Sequence, residues 1–180
     1  MSFLNTKQRF GAFTKLLHWL IAIGFSVQFY LVYRRDFMLD EDPFKLSYIL
    51  WHKQLGFYLF FVALLMIVSR HLGTRPDFPS SMSRAHVIFS KVGHTVLYLL
   101  MLSMPVGGYL MSCYGGRPIM LFGKYAVPAL VQPNEAMGDL LYKWHAGILP
   151  YVVMAVVGGH ILAALYHHFG LKDNVLKRML

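Results

Sequence analysis

The sequence predicts an all-α membrane protein, a bundle of four transmembrane helices. Of its 180 residues, 57% are hydrophobic and only 14% are charged, whereas a soluble domain carries about 25% charged residues. Four apolar stretches are long enough to cross a bilayer, which takes about 20 residues each. They lie at about 13–33, 48–68, 87–112 and 144–169. Because they leave no room for a soluble unit, residues 1–180 are predicted to form a single transmembrane domain.

The basic residues predict the orientation of these helices. The net charge of 17 − 8 = +9 would suggest a nucleic-acid partner in a soluble protein. Here the basic residues lie in short loops and tails, so no such partner is expected. Ten of the 17 lie on the side of the two termini, which predicts cytoplasmic termini by the positive-inside rule. The first stretch is followed by no small-residue cleavage site, which favours a retained helix over a signal peptide.

Four histidines, His18, His52, His145 and His160, lie beside or inside the apolar stretches. Ionisable side chains in membrane helices are costly and point to function. His52 and His145 open their helices on the outer side. His160 lies 15 residues, or about 22 Å, beyond His145, so it shares the cytoplasmic depth of His18. Two imidazole pairs at two depths are what two bis-histidine b haems require. The predicted bundle therefore holds two haem b groups.

The single cysteine limits how such haems could be attached. Cys113 has no second cysteine to pair with in the chain, which excludes an internal disulfide. A covalently attached c-type haem needs a C-x-x-C-H motif, which one cysteine cannot supply. The haems would therefore be held by axial ligands and packing alone.

The spacing along the fourth helix predicts an irregularity. Fifteen residues make four turns plus about 60°, so His145 and His160 do not share a face of a regular helix. Pro150 lies between them, and prolines favour kinks and one-residue bulges. We therefore expect a kink or π-bulge near residues 146–151. Five glycines either allow a macrocycle to approach the backbone or serve helix packing: Gly24, Gly56, Gly147, Gly158 and Gly159.

The remaining histidines have weaker indications. His94, in the first turns of the third helix, could cap a haem propionate or bond the backbone. His167 lies two turns after His160 on nearly the same face, so it is a candidate for a quinone or propionate contact. Its neighbour His168, together with Arg84 and Lys91, could also bind or protonate a quinone. The loop histidines, His71 and His86, are interpreted as surface groups.

Nearly the whole chain resembles the prokaryotic cytochrome b561 family. The motifs are KLLHWL at 15–20, WHKQLG at 51–56, GHTVLYLL at 93–100, MPVGG at 104–108, KWH at 143–145, GH at 159–160, HH at 167–168 and KDN at 172–174. The resemblance implies a four-helix protein of the bacterial inner membrane with two b haems. It implies His18 and His160 as ligands of the cytoplasmic haem, and His52 and His145 as ligands of the periplasmic haem.

One branch of the family is similar to superoxide oxidase, which passes electrons from superoxide at the outer face to ubiquinone. The resemblance then implies that His167 contacts ubiquinone. The chain departs from the family pattern by one additional residue between His145 and His160. Because superoxide is a small anion, a basic approach to the outer haem would speed its capture. The residues predicted to steer it are Lys53, Arg117 and Lys143, with Lys124 beside them; each could instead anchor lipid headgroups.

An alternative function belongs to a different class of protein. The same four-helix di-haem scaffold serves as the membrane anchor and electron relay of a dehydrogenase or hydrogenase, with catalysis in the partner. The short loops of this chain are compatible with both readings. A non-catalytic haem carrier or sensor is a third, less favoured reading, because it has no use for two coupled haems.

Overall fold

The computed structural model describes residues 2–79 and 82–180, and this part of the chain has four helices long and apolar enough to cross a membrane. They are α1 (Ala12–Asp36), α2 (Lys45–Leu72), α3 (Arg84–Tyr114) and a continuous helical stretch, Glu135–Gly170. Each predicted stretch lies inside one of these helices. The predicted all-α, four-helix membrane fold is therefore confirmed.

The surface of the bundle is apolar, as lipid requires. Phe61 is 51% exposed and Leu162 is 67% exposed, although both lie in the middle of long helices. A soluble protein would bury such side chains. The small core is formed by Leu17 of α1, Ala63 of α2 and Met101 of α3, with Met66 packed against them. Three helices thus meet tightly near the end that carries the chain termini.

The helices do not all pack on one another. α1 packs along α2, α2 packs along α3, and α3 packs along the fourth helix. Within the described residues, neither α1 nor α2 packs extensively against the fourth helix. The bundle is therefore held together through α3 and leaves space between the fourth helix and the first two.

Two of the predicted glycines serve the packing of α1 on α2. A Cβ added at Gly24 would lie 2.4 Å from Cδ2 of Leu59, and one added at Gly56 would lie 2.9 Å from Nε2 of Gln28. A methyl group at Gly24 would require the Leu59 side chain to move, and one at Gly56 would require the Gln28 side chain to move. By contrast, a Cβ at Gly147, Gly158 or Gly159 would meet no atom within 4 Å. Of the five glycines singled out in the sequence, these three in the fourth helix face open space that another group could fill.

The fourth helix is interrupted twice by π-helical turns. It consists of α4 (Glu135–Tyr142), a first π turn (Lys143–Ile148), α5 (Leu149–Leu165) and a second π turn (Tyr166–Gly170). The predicted bulge near Pro150 is confirmed, and it begins three residues earlier than the expected 146–151. The apolar stretches do not predict α4, which begins at Glu135. Its N-cap is Asn134, whose Oδ1 accepts a hydrogen bond from the Met137 N–H at 3.0 Å. The stretches do not predict the second π turn either.

The two ends of the bundle carry different loops. The hairpin end carries the α1–α2 loop and the segment between α3 and α4, which contains a short antiparallel hairpin of β1 (Met120–Leu121) and β2 (Tyr125–Ala126). Lys53 and Gln54 hold this segment: Lys53 Nζ donates to the Arg117 carbonyl at 3.0 Å, and the Phe122 N–H donates to Gln54 Oε1 at 3.0 Å. The terminal end carries both termini and the α2–α3 loop.

Candidate functional site

At the hairpin end, His52 and His145 face each other. Their ring centroids are 6.1 Å apart and the rings are inclined by 71°. His52 lies near the start of α2, and His145 lies in the first π turn. Gln28 of α1 donates from Nε2 to the His52 carbonyl at 3.1 Å, so it fixes the backbone from which this imidazole projects. The pair spans the space that the fourth helix leaves beside α2.

Gly108 provides the room for the His145 ring. A Cβ added at Gly108 would lie 2.9 Å from Cε1 and 3.2 Å from Nε2 of His145. At the adjacent Gly107 the added Cβ would be 3.8 Å from Nδ1, which is an ordinary contact. Both glycines follow Pro105, which lies inside α3 and removes a helical hydrogen bond there. The MPVGG segment is thus shaped to receive this imidazole.

At the terminal end, His18 of α1 faces His160 of α5. Their ring centroids are 6.3 Å apart, with the rings inclined by 51°. A third imidazole, His94 of α3, lies 5.5 Å from His160. Its Nδ1 lies 2.6 Å from the Ser90 carbonyl and donates a hydrogen bond to it. This is the backbone bond that was one of the two expectations for His94. His94 is therefore fixed to its own helix, whereas His18 is not.

Both pairs have the spacing of imidazoles that share one metal ion. A metal–imidazole nitrogen bond is about 2 Å long and the ring centre lies about 1.1 Å further, so opposed ligands place their centroids about 6.2 Å apart. The observed distances are 6.1 and 6.3 Å.

These imidazoles also differ from ordinary core histidines, whose ring nitrogens have hydrogen-bond partners. Nδ1 of His18, His52 and His145 is buried without a hydrogen-bond partner in the described chain. Buried polar atoms are normally paired. The site thus fits an inserted group that the imidazoles hold.

Of the three basic residues predicted to steer superoxide, two are in direct contact and the third is not. Lys53 and Arg117 meet beside His52 through the 3.0 Å bond from Lys53 Nζ to the Arg117 carbonyl. Lys143 is exposed and lies in the first π turn, two residues before His145. No hydrogen bond or ion pair joins Lys143 to the other two in the described ranges.

At the terminal end, His167 forms a cluster with two other titratable residues. Its Nδ1 is 2.5 Å from Oδ2 of Asp173, and its ring centroid is 5.4 Å from that of His86. Burial raises the pKa of Asp173, but the hydrogen bonds from His167 and the Val175 N–H outweigh it, so this pKa lies below its ordinary value. From the sequence, His86 is interpreted as a surface group, and Asp173 is part of the KDN motif with no role assigned to it.

The other residues proposed for the terminal end are less closely associated with His167. His168 packs against Phe169, with ring centroids 4.7 Å apart. Lys91 Nζ lies 5.9 Å from the Phe78 ring centre, and Arg84 is an exposed residue at the start of α3. None of the three forms a hydrogen bond or ion pair with His167 in the described residues.

A profile of the prokaryotic cytochrome b561 family matches residues 9–180. The chain belongs to this family. It is 34% identical to cytochrome b561 homolog 2 of Escherichia coli K12 over all of this chain and 95% of the relative. It is 31% identical to the probable superoxide oxidase CybB of Yersinia pestis over 91% of each chain. Cytochrome b561 homolog 1 of E. coli K12 is 23% identical over 96% of this chain.

Membership of this family defines the general chemistry of this cytochrome. It is a multi-pass bacterial membrane protein that takes part in electron transfer and uses b-type haem. The paired imidazoles and the open glycine faces fit such a group in size and donor chemistry. The four ligands remain the predicted ones: His18 with His160, and His52 with His145.

Replacing Gly108 with alanine should expel the haem that is predicted to lie between His52 and His145. The new methyl group would occupy the space of the His145 ring, because its Cβ would be 2.9 Å from Cε1. We expect the total haem content to fall by about half, measured by pyridine haemochromogen absorbance. Gly107→Ala is the matched control, since both changes gain about 1 kcal/mol of helix propensity and only one meets the ring. Equal haem content in the two variants would contradict this prediction.

Removing His18 and removing His94 should have different consequences. His18→Ala should lose the terminal-end haem, because His160 would keep no opposed ligand at metal-sharing distance. His94→Ala should retain both predicted low-spin haems, because the His94 and His160 ring centroids are only 5.5 Å apart, closer than the roughly 6.2 Å of opposed ligands of one metal ion. Electron paramagnetic resonance of the oxidised proteins distinguishes the two cases. Retention of both low-spin signals in His18→Ala, with loss in His94→Ala, would reassign the ligand to His94.

Proposed function

We propose that this cytochrome binds two b haems and oxidises superoxide to O₂ at the hairpin end while reducing ubiquinone at the terminal end. The haems would be held by His52 with His145 and by His18 with His160. The hairpin end would face the periplasm and both termini the cytoplasm of a bacterium, with the protein in the inner membrane. The observation that carries the proposal is the two imidazole pairs, one at each end, across space that the helices leave unpacked.

The overall reaction requires two donors for each acceptor. Two superoxide anions lose one electron each and become two O₂, while one ubiquinone takes up two electrons and two protons and becomes ubiquinol. When bound, the haems supply reversible one-electron transfer between the two ends. The tasks of the protein side chains are to bring the anion to one end, to dock the quinone at the other and to deliver protons there.

The hairpin end is suited to attract a small anion. Lys53 is anchored to the Arg117 carbonyl beside His52, so its ammonium group is held where the anion must arrive. The exposed Arg117 and Lys143 add positive charge around the same imidazole pair. Such a field raises association rates by about 10 to 10³. The name of the Yersinia pestis relative, a probable superoxide oxidase, supports this choice of donor.

The terminal end is suited to a protonating acceptor site. Among the described histidines, His167 is hydrogen-bonded to a carboxylate, that of Asp173, and it lies two turns from His160 along the fourth helix. Quinone reduction takes up protons. It therefore needs a side chain with an exchangeable proton near the terminal-end imidazole pair. The aromatic and apolar side chains of the surrounding helix surface would accommodate a lipophilic molecule arriving from the bilayer.

The reduction of the bound haems by superoxide should depend on ionic strength and on the three basic residues. Steering is screened over about 8–10 Å at physiological salt, so the stopped-flow rate should fall several-fold between low and physiological salt. Lys53→Glu, Arg117→Glu and Lys143→Glu should each slow it as well, with both haems retained. Lys177→Glu, an exposed charge at the terminal end, is the control and should not slow it.

Two results would contradict parts of this proposal. Rates indifferent to salt and to all three substitutions would contradict the steering role. Haems that superoxide does not reduce, together with a dehydrogenase that copurifies and reduces them, would instead identify the protein as an electron-relay subunit.

A further inference from the structure

The contact between His167 and Asp173 is tighter than a surface ion pair. The two side chains are each only 12% exposed, and Nδ1 of His167 is 2.5 Å from Oδ2 of Asp173. The other carboxylate oxygen, Oδ1, accepts the Val175 N–H at 3.0 Å. The Asp173 N–H in turn donates to the His167 carbonyl at 3.1 Å. Backbone and side-chain bonds therefore hold the carboxylate in one position against the imidazole.

This geometry determines which ring nitrogen of His167 carries its proton. An ionised carboxylate can only accept hydrogen bonds, so Nδ1 must be the donor. The pKa of Asp173 lies below its ordinary value, which keeps the carboxylate ionised at neutral pH. Nε2 is then left for another group. It can accept a proton when the ring is neutral and donate one when the ring is an imidazolium.

The negative charge of Asp173 lies beside two neighbouring imidazoles, those of His167 and His86. The titratable groups that face the ring are His86 of α3 at 5.4 Å, the adjacent Tyr166 at 6.2 Å between ring centroids, and Asp173. Two imidazolium ions at the distance of His86 and His167 would repel each other. The Asp173 carboxylate, an opposite charge in direct contact with His167, offsets this repulsion.

We propose that Asp173 is a positioning residue that fixes His167 with Nδ1 protonated and thereby makes its Nε2–H the proton donor to the reduced quinone. The inference rests on the proposed function of the terminal end. In the step, the Nε2–H bond of the imidazolium breaks and an O–H bond forms on one quinone carbonyl oxygen. The two electrons come from two superoxide anions, the second quinone oxygen takes its proton from water, and water also returns the proton to Nε2. The arrangement follows the logic by which a buried aspartate orients a catalytic histidine.

The test compares Asp173→Asn with the wild-type protein, both loaded with haem. Asparagine can keep the bond to the Val175 N–H, but its amide can donate to Nδ1 and so impose the opposite tautomer. With haems reduced chemically, their reoxidation by ubiquinone should slow at least about tenfold in kcat, with little change in KM. The pH profile of this reoxidation should shift as well. Asp173→Glu should restore part of the rate, and reduction of the haems by superoxide should not change.

Asp77→Asn is the matched control. Asp77 lies at the same end of the molecule, and its contact with Lys7 is 3.8 Å long and exposed. The substitution removes one negative charge without touching His167, so ubiquinone reduction should match that of the wild type. A slower rate in this control, equal to that of Asp173→Asn, would mean that general charge rather than positioning is responsible, and would overturn the proposal.

Histidine ¹⁵N magnetic resonance provides a readout that is independent of turnover. The His167 resonances, assigned by comparison with His167→Gln, should show Nδ1 protonated in the wild type and a changed tautomer in Asp173→Asn. An unchanged tautomer, or unchanged ubiquinone kinetics and pH profile, overturns the proposal. If the wild type does not reduce ubiquinone at all, the proposed function fails, whereas the tautomer measurement still decides whether Asp173 positions His167.

Discussion

The cost of placing imidazoles inside a membrane governs this structure. His18, His52, His145 and His160 lie in helices that are long and apolar enough to cross a membrane. Nδ1 of His18, His52 and His145 is buried without a hydrogen-bond partner in the described residues. Unpaired polar groups in such surroundings are expensive. The bundle offsets this cost by opposing the rings in pairs about 6 Å apart, where an inserted metal-centred group would satisfy them. The packing of the helices follows from this requirement.

Because the rings must face each other across space, the fourth helix cannot pack closely on α1 or α2. α3 therefore carries most of the contacts that hold it, and its sequence is adapted to that role. Gly108 admits the His145 ring, Pro105 removes a helical hydrogen bond just before it, and a Cβ added at Gly138 of α4 would be in van der Waals contact with the Gly115 backbone nitrogen, at 3.6 Å. The first π turn realigns His145 with respect to His160, which fifteen regular residues would not do.

Much of this arrangement follows from the sequence alone, because hydropathy and histidine depth are one-dimensional properties. The four helices, the pairing of imidazoles by depth and the irregularity near Pro150 were all accessible in that way. The contacts of Gly108, Gln28 and Asp173 were not, since each depends on which faces of two distant segments meet. The start of α4 did carry a local signal: Asn134 followed by Glu135 is a typical helix cap and first turn. This capping signal lies outside the long apolar stretches from which the helices are predicted.

The two ends of the molecule differ in the kind of charge they manage. At the hairpin end, Lys53 and Arg117 present fixed positive charge to water. At the terminal end, Asp173 pairs with a titratable ring, so the charge there can change with protonation. An anion that gives up an electron brings no proton with it, whereas a quinone that is reduced must take protons up. Under the proposed function, the two reactions are coupled only if electrons cross the membrane while protons enter at the acceptor end, and the unequal chemistry of the two ends would meet that requirement.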